Sequence, residues 1–249
     1  MSTASVRWSI EGNCARISLC RPEVLNALDE SSYIGLADAF DAIEKDAAVS
    51  VAVIDGGDCR AFSAGADLKF MRSLSGTSLR RFIELSWLTG ERIARSSLLT
   101  VARLNGYVLG GGAELALACD MRIAATDTII GFPEMTLGSI PGSGAAQRLQ
   151  TLIGPARATE MMTGGRHMPA SVAHNIGLVN AVYEDVAGID DWLAPFTARP
   201  REAITYMKAA MRLQNEPHAA AAFHGLVSAT RQADPDYRAR TQTFDREHK

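Results

Sequence analysis

Hydrophobic and polar positions alternate near the start of the chain. Residues 7–10 and 15–19 each run with a period of two, and Glu11-Gly12-Asn13 separates them, so a β-hairpin is predicted there. The period then lengthens. Tyr33, Leu36, Phe40 and Ile43 recur at helical spacing, with Asp29 placed as an N-cap. Residues 49–54 form a short apolar strand ending at Gly56-Gly57, and a glycine-bearing loop follows at 63–67. A partly amphipathic helix is expected over about residues 77–95, then a strand at 100–104, a triple-glycine turn, and a helix from about Gly112. Strands are expected at 121–124, 129–132 and 178–182, with a helix starting near Ala145 after a glycine- and proline-rich turn.

Two strands followed by a helix thus recur three or four times without matching in sequence. The pattern predicts an α/β fold, a spiral of ββα turns with helices outside, over residues 1–198. Residues 199–249 read as strand-free helix, with Ile204, Met207 and Met211 in one stripe and Phe223, Leu226 and Thr230 in another. Such a tail cannot bury its apolar faces alone and is expected to pack on the core or on another subunit.

Composition narrows the function classes. The chain has 249 residues, 47% hydrophobic and 21% charged, which supports a packed core rather than disorder. A net charge of −3 gives no electrostatic reason to expect a nucleic-acid partner, and the basic clusters at Arg80-Arg81 and 238–240 are short. Cys14, Cys20, Cys59 and Cys119 form no CxxC pair and suit a reducing compartment. No signal-like core precedes Arg7, and no apolar run approaches the ~20 residues that span a bilayer, so a cytoplasmic protein with no membrane partner is expected. The five histidines stand at spacings that suggest no metal site.

The candidate chemistry lies at Gly110-Gly111-Gly112-Ala113-Glu114. A tight glycine turn between a strand and a helix leaves backbone N–H groups pointing outward at the positive end of the helix dipole. Such donors can hold an oxygen that becomes negative during a reaction. Glu114 follows within one turn, and Glu134, after Pro133 at the end of another apolar strand, could face it. Two carboxylates beside an oxyanion site are the parts needed for proton transfer next to a carbonyl. Spacing alone equally permits Glu114 as an ordinary first-turn helix residue and Glu134 as a loop carboxylate.

These residues belong to blocks that resemble the enoyl-CoA hydratase/isomerase (crotonase) superfamily. The blocks are Leu25-Asn26-Ala27-Leu28, residues 61–68, residues 105–115, Phe132-Pro133-Glu134, residues 138–142 and residues 176–180. They keep the family's order and cover most of the chain. The resemblance implies a crotonase-like spiral, a C-terminal helical region that trimerises, and a homotrimer or dimer of trimers. It implies an acyl thioester of coenzyme A as substrate, so coenzyme A enters with the substrate and no permanent cofactor is expected. It places the oxyanion hole at the backbone N–H groups of Ala66 and Gly111 and the acid and base at Glu114 and Glu134.

The same resemblance puts substrate or coenzyme contacts at Ala64, Asp67, Leu68, Lys69, Gly110, Pro133, Pro141 and Gly142. Asp67 also fits a helix cap, and Lys69 a solvated lysine. Arg21-Pro22 is followed by Glu23 and Val24 where the family often has a basic residue, and the tail at 243–246 departs as well, so neither contact is carried over. The acyl pocket is expected from residues 71–87 and the tail helices. Carboxylates at both positions favour hydration of a 2-enoyl thioester. A 3,2-enoyl isomerase on the same site is the runner-up, and a non-catalytic binding protein of this fold ranks below both.

Overall fold

A computed structural model describes residues 2–3, 5–184 and 186–247. Its strands are β1 (Ser2–Thr3), β2 (Val6–Glu11), β3 (Cys14–Leu19), β4 (Val51–Asp55), β5 (Ala61–Ser63), β6 (Leu99–Leu104), β7 (Tyr107–Leu109), β8 (Met121–Ala125), β9 (Ile129–Gly131), β10 (Met168–Pro169) and β11 (Ala181–Tyr183). The helices are α1 (Glu30–Ile43), α2 (Leu68–Ser73), α3 (Gly76–Ala94), α4 (Gly111–Ala118), α5 (Ala145–Ile153), α6 (Pro155–Gly164), α7 (Ala170–Asn175), α8 (Val186–Thr197), α9 (Arg201–Arg212), α10 (Pro217–Ala233) and α11 (Pro235–Glu247). The chain divides into two units, Met1–Arg201 and Glu202–Lys249.

The first unit is built on two sheets. One runs β1-β2-β3-β4-β6-β8-β11 and the other β10-β9-β7-β5. Consecutive strands therefore go to different sheets: β4 then β5, β6 then β7, β8 then β9. Each pair is followed by helix, and β4, β6 and β8 stack in parallel with one another, as do β5, β7 and β9. This is the expected spiral of ββα turns. The opening β2–β3 hairpin is antiparallel, from Val6 opposite Leu19 to Glu11 opposite Cys14.

Local chemistry sets the element ends. Asp29 caps α1 by accepting from the Ser32 amide at 2.9 Å. Tyr33, Leu36, Phe40 and Ile43 then bury one face of that helix. β4 is buried at every position, as a strand covered on both faces must be. Asp120 ties the end of α4 to β6, accepting from the Thr100 amide at 2.8 Å and its hydroxyl at 2.9 Å. Phe40, Phe62 and Phe132 are fully buried, and each such ring contributes about 1.5–3 kcal/mol by leaving water.

One expected strand is displaced. Residues 178–182 read as apolar and extended, yet the strand begins at Ala181. Leu178 and Val179 are buried in a turn instead, with both amides donating to the Ala173 carbonyl. The buried Arg122 holds that turn by donating to the Leu178 carbonyl at 2.8 Å. Burial rather than strand pairing explains the apolar run.

The second unit is helical. The Tyr206 and Phe223 rings meet edge to face at 6.5 Å, and Arg231 pairs with Asp234 at 2.6 Å while lying over the Tyr237 ring. Met211 and Leu226, from the two predicted stripes, stand exposed. No helix among the described residues is long and apolar enough to cross a membrane.

Candidate active site

The site begins with a clamp. Leu25 and Asn26 both have φ of 54°, a left-handed conformation that side chains rarely adopt. The buried Asn26 holds it: its Nδ2 donates to the carbonyls of Gly56, Ala61 and Phe62, and its Oδ1 accepts from the Arg21 amide at 2.8 Å. This segment grips the loop after β5. The Ala64 amide donates to the Leu25 carbonyl, the Leu28 amide to Gly65 and the Asp67 amide to Leu28. Alternate groups of the loop are thereby occupied. The intervening Ala66 N–H faces away from the clamp and has no protein acceptor among the described residues.

The glycine turn supplies the second donor. Gly110 takes φ of 47° between β7 and α4, and α4 starts at Gly111. A first-turn N–H has no partner within its own helix, and the Gly111 amide has no protein acceptor among the described residues. The two donors are neighbours: a β-carbon on Gly111 would lie 3.3 Å from the Ala66 nitrogen. Gly112 lets the helix approach the sheet, since a β-carbon there would lie 2.6 Å from the Ser63 β-carbon.

Glu114 is buried at 3% exposure on the first turn of α4. Its Oε1 accepts from the Ser143 amide at 2.7 Å and the Ala145 amide at 3.0 Å. Burial raises its pKa, and the amides of Ala145 and Ser143 oppose that shift. Arg148 steadies the donor loop. It donates to the Ser143 carbonyl at 2.8 Å, pairs with Glu91 at 2.6 Å and lies over the Trp87 ring.

Glu134 is held differently. It opens a short 3-10 turn, Glu134–Leu137, after Pro133. Its Oε1 lies 2.8 Å from where a Gly110 β-carbon would stand, and its Oε2 is buried with no hydrogen-bond partner among the described residues. Burial first, and then the negative charge of Glu114, push its pKa up to about 7, against the pull of its own backbone N–H. A carboxyl group that titrates near neutrality is suited to proton transfer.

One cavity of about 210 Å³ collects these parts. Ala64, Ala66, Leu68, Gly110, Gly111, Glu114, Pro133, Glu134 and Gly142, all expected at the site, line it. Asp67, Lys69 and Pro141 do not. Asp67 accepts from the Phe70 amide at 3.0 Å as the cap of α2 and pairs with Arg21 at 3.0 Å. Lys69 is exposed on α2, and Pro141 is half-buried beside the lining residue Gly142. Among the described residues no cluster of His, Cys, Asp and Glu could hold a metal ion.

The structure adds site residues that were not singled out individually from the sequence. Tyr33, Ser86 and Ser143 line the cavity with hydroxyl groups, and Met71, Phe82 and Ile83 form an apolar wall. The last three and Ser86 fall in the stretch expected to hold the acyl pocket. Tyr33 reads from its spacing as an ordinary core residue of α1, and nothing in the periodicity marks its hydroxyl.

Comparison with known proteins identifies the family and the fold. A family model described as enoyl-CoA hydratase/isomerase matches residues 9–234. A crotonyl-CoA hydratase of Syntrophomonas wolfei is 38% identical over 174 residues, covering 70% of this chain and 67% of that protein. The crystal structure of enoyl-CoA hydratase from Thermoplasma volcanium superposes with a TM-score of 0.90 at 30% identity, covering 97% of each chain. The crystal structure of a Thermobifida fusca protein in complex with acetoacetyl-CoA gives a TM-score of 0.84 at 26% identity, covering 92% of this chain and 95% of that one.

Proposed function

The chain belongs to the enoyl-CoA hydratase/isomerase family, and from that premise we propose that it adds water across the 2,3 double bond of a 2-enoyl thioester of coenzyme A. The observation that carries the reading is a pair of carboxyl groups in unlike surroundings, sharing one cavity with two backbone donors that have no acceptor among the described residues. The thioester oxygen sits between the N–H groups of Ala66 and Gly111. Glu114 takes a proton from water as the water oxygen bonds to C3. The electron pair of the double bond moves toward the thioester oxygen, and the donors hold the resulting enolate. Glu134 gives its proton to C2. Water has then been added overall, with Glu114 protonated and Glu134 ionised, and one proton must return before the next turnover.

The roles follow from the surroundings. Two amides aimed at Glu114 favour its ionised form against the burial that raises its pKa, while Glu134 Oε2 has no such donor among the described residues and Glu134 keeps a proton to about pH 7. Each oxyanion donor supplies roughly 3–4 kcal/mol in comparable sites. Positioned acid–base groups supply about 10²- to 10⁴-fold each.

Coenzyme A belongs to the substrate in this reading. Ala64, Leu68, Gly110, Pro133 and Gly142 contact the thioester and acyl portions, with Lys69, Asp67 and Pro141 at the rim. The Thermobifida fusca complex with acetoacetyl-CoA supports a thioester ligand for this fold. We assign a homotrimer or dimer of trimers in the cytoplasm. Exposed Met211 and Leu226 on the C-terminal helices support the assembly, and four free cysteines support the compartment.

Crotonyl-CoA tests the reading. Its conjugated thioester absorbance should fall on mixing with the protein, and Glu114→Gln should abolish the fall. Unchanged absorbance with crotonyl-CoA, together with conversion of a 3-enoyl-CoA into the conjugated isomer, would replace hydration with isomerisation.

A further inference from the structure

The two-carboxylate scheme leaves the Tyr33 hydroxyl in this cavity without a role. Tyr33 is 3% exposed, and its ring packs edge to face on Phe82 at 5.6 Å, which in turn packs on Phe70 at 5.3 Å. Phenylalanine would satisfy that packing equally well. A hydroxyl buried here is costly unless something accepts its proton. Its oxygen lies 3.2 Å from the point where a Gly111 β-carbon would stand, and the Ala66 nitrogen lies 3.3 Å from the same point. The phenol therefore flanks the backbone donor pair.

The neighbouring hydroxyls restrict what the phenol proton can do. Ser86 Oγ donates to the Ile83 carbonyl at 2.8 Å. Ser143 Oγ lies 2.6 Å from Ser86 Oγ in a contact where either hydroxyl could donate, and the Ser143 hydroxyl also bonds Glu114. Ser86 can accept from Tyr33 but cannot also donate to it. Burial, and then the charge of Glu114, hold the phenol above its ordinary range, so it stays a protonated donor across neutral pH. A phenol O–H can also turn about its C–O bond without moving a heavy atom.

We propose that Tyr33 is a third donor to the thioester oxygen: its O–H rests toward the Ser86 hydroxyl in the free enzyme and turns to the oxygen on which enolate charge collects. The inference rests on the hydratase reading for its chemistry, but its test does not depend on turnover. No bond is made or broken at Tyr33. It adds a hydrogen bond that strengthens as charge develops, which is the kind of interaction that raises kcat.

Acetoacetyl-CoA is the probe, because its enolate has its own near-ultraviolet band. The ligand would be titrated with pH while bound to the wild-type protein and to Tyr33→Phe, which keeps the ring and removes one oxygen. Loss of the donor should move enolate formation up by about one pH unit, a tenfold smaller ionised fraction at a given pH. It should also lower kcat for crotonyl-CoA by about 10- to 100-fold, with affinity for free coenzyme A unchanged. An enolate titration identical to wild type overturns the proposal, whether or not kcat falls. If the wild-type protein hydrates no enoyl-CoA, the hydratase reading fails, and the enolate titration still decides the role of Tyr33.

Discussion

Glu114 and Glu134 are chemically identical side chains in one cavity, and burial raises the pKa of both, but their hydrogen-bonding surroundings differ. Glu114 rises from a helix start whose position is fixed by a glycine turn, and two amides grip one of its oxygens. Glu134 sits on a short 3-10 turn, packs against bare Gly110 and keeps one oxygen buried without a partner among the described residues. In the proposed reaction, surroundings rather than residue type divide acid from base. Hydrogen bonds from fixed dipoles stabilise a charge, and burial without them stabilises the proton. Exchanging either environment for the other should destroy the division of labour.

Neutralising either carboxylate breaks the pair most severely. Glu114→Gln and Glu134→Gln should each lower kcat for crotonyl-CoA by about 10²- to 10⁴-fold, with melting temperatures close to or above wild type. The double variant should lose little more than the worse single one, because both groups serve the same proposed reaction and removing either already stalls it. Activity within a few-fold of wild type in either single variant would remove that residue from the chemistry.

The pH profile sharpens the contrast. In the proposed reaction Glu134 is the acid, and its proton is lost as the pH passes about 7. The acceleration due to Glu134 should therefore fall about tenfold per unit above that point and hold steady just below it. Glu134→Gln has no proton to lose there, so its residual rate should show no break near neutrality. A wild-type limb that survives this substitution would assign the titration to another group.

Much of this was legible from residue order. Periodicity located the hairpin, α1, α3 and the β4, β6 and β8 strands, because each buries one face or both in a regular rhythm. The glycine turn was legible because a strand-to-helix corner leaves few other choices. The Leu25-Asn26 block was visible only as a resemblance; its physical reason, a left-handed clamp on the Ala66 loop, needs contacts 30 or more residues away in sequence. Residues 178–179 misled because a buried turn and a buried strand share the same apolar composition. Tyr33 was hidden because its spacing reports only that the ring is inside, not what its oxygen meets.

Stability gives a smaller effect of the same asymmetry. The folded protein raises the Glu134 pKa to about 7, whereas an unfolded glutamate ionises near 4.5. The folded state therefore holds its proton more tightly, and this contribution is fully present below pH 4.5 and lost as pH rises to about 7. Glu134→Gln removes the dependence. Discounted for partial exposure, the variant should gain about 1–2 kcal/mol over wild type at pH 8 relative to pH 5. Urea unfolding at the two pH values measures it, and an equal difference between the proteins at both would show that Glu134 ionises normally in the folded state.

The smallest effects separate the cavity from its rim. Asp67 and Lys69 lie two positions apart at the start of α2, yet one is tied into the fold and the other is exposed. Asp67→Ala removes a helix cap and an ion pair with Arg21, and should cost about 1 kcal/mol of stability. The loss should reach kcat only weakly, through the loop that carries Ala66. Lys69 makes no side-chain hydrogen bond or ion pair among the described residues, so Lys69→Ala should leave the melting temperature unchanged. If that ammonium meets the phosphates of coenzyme A, KM should rise a few-fold and the wild-type advantage should shrink with added salt, since an exposed charge is readily screened. A KM unchanged at low salt would make Lys69 a solvated lysine and confine recognition of the substrate to the cavity.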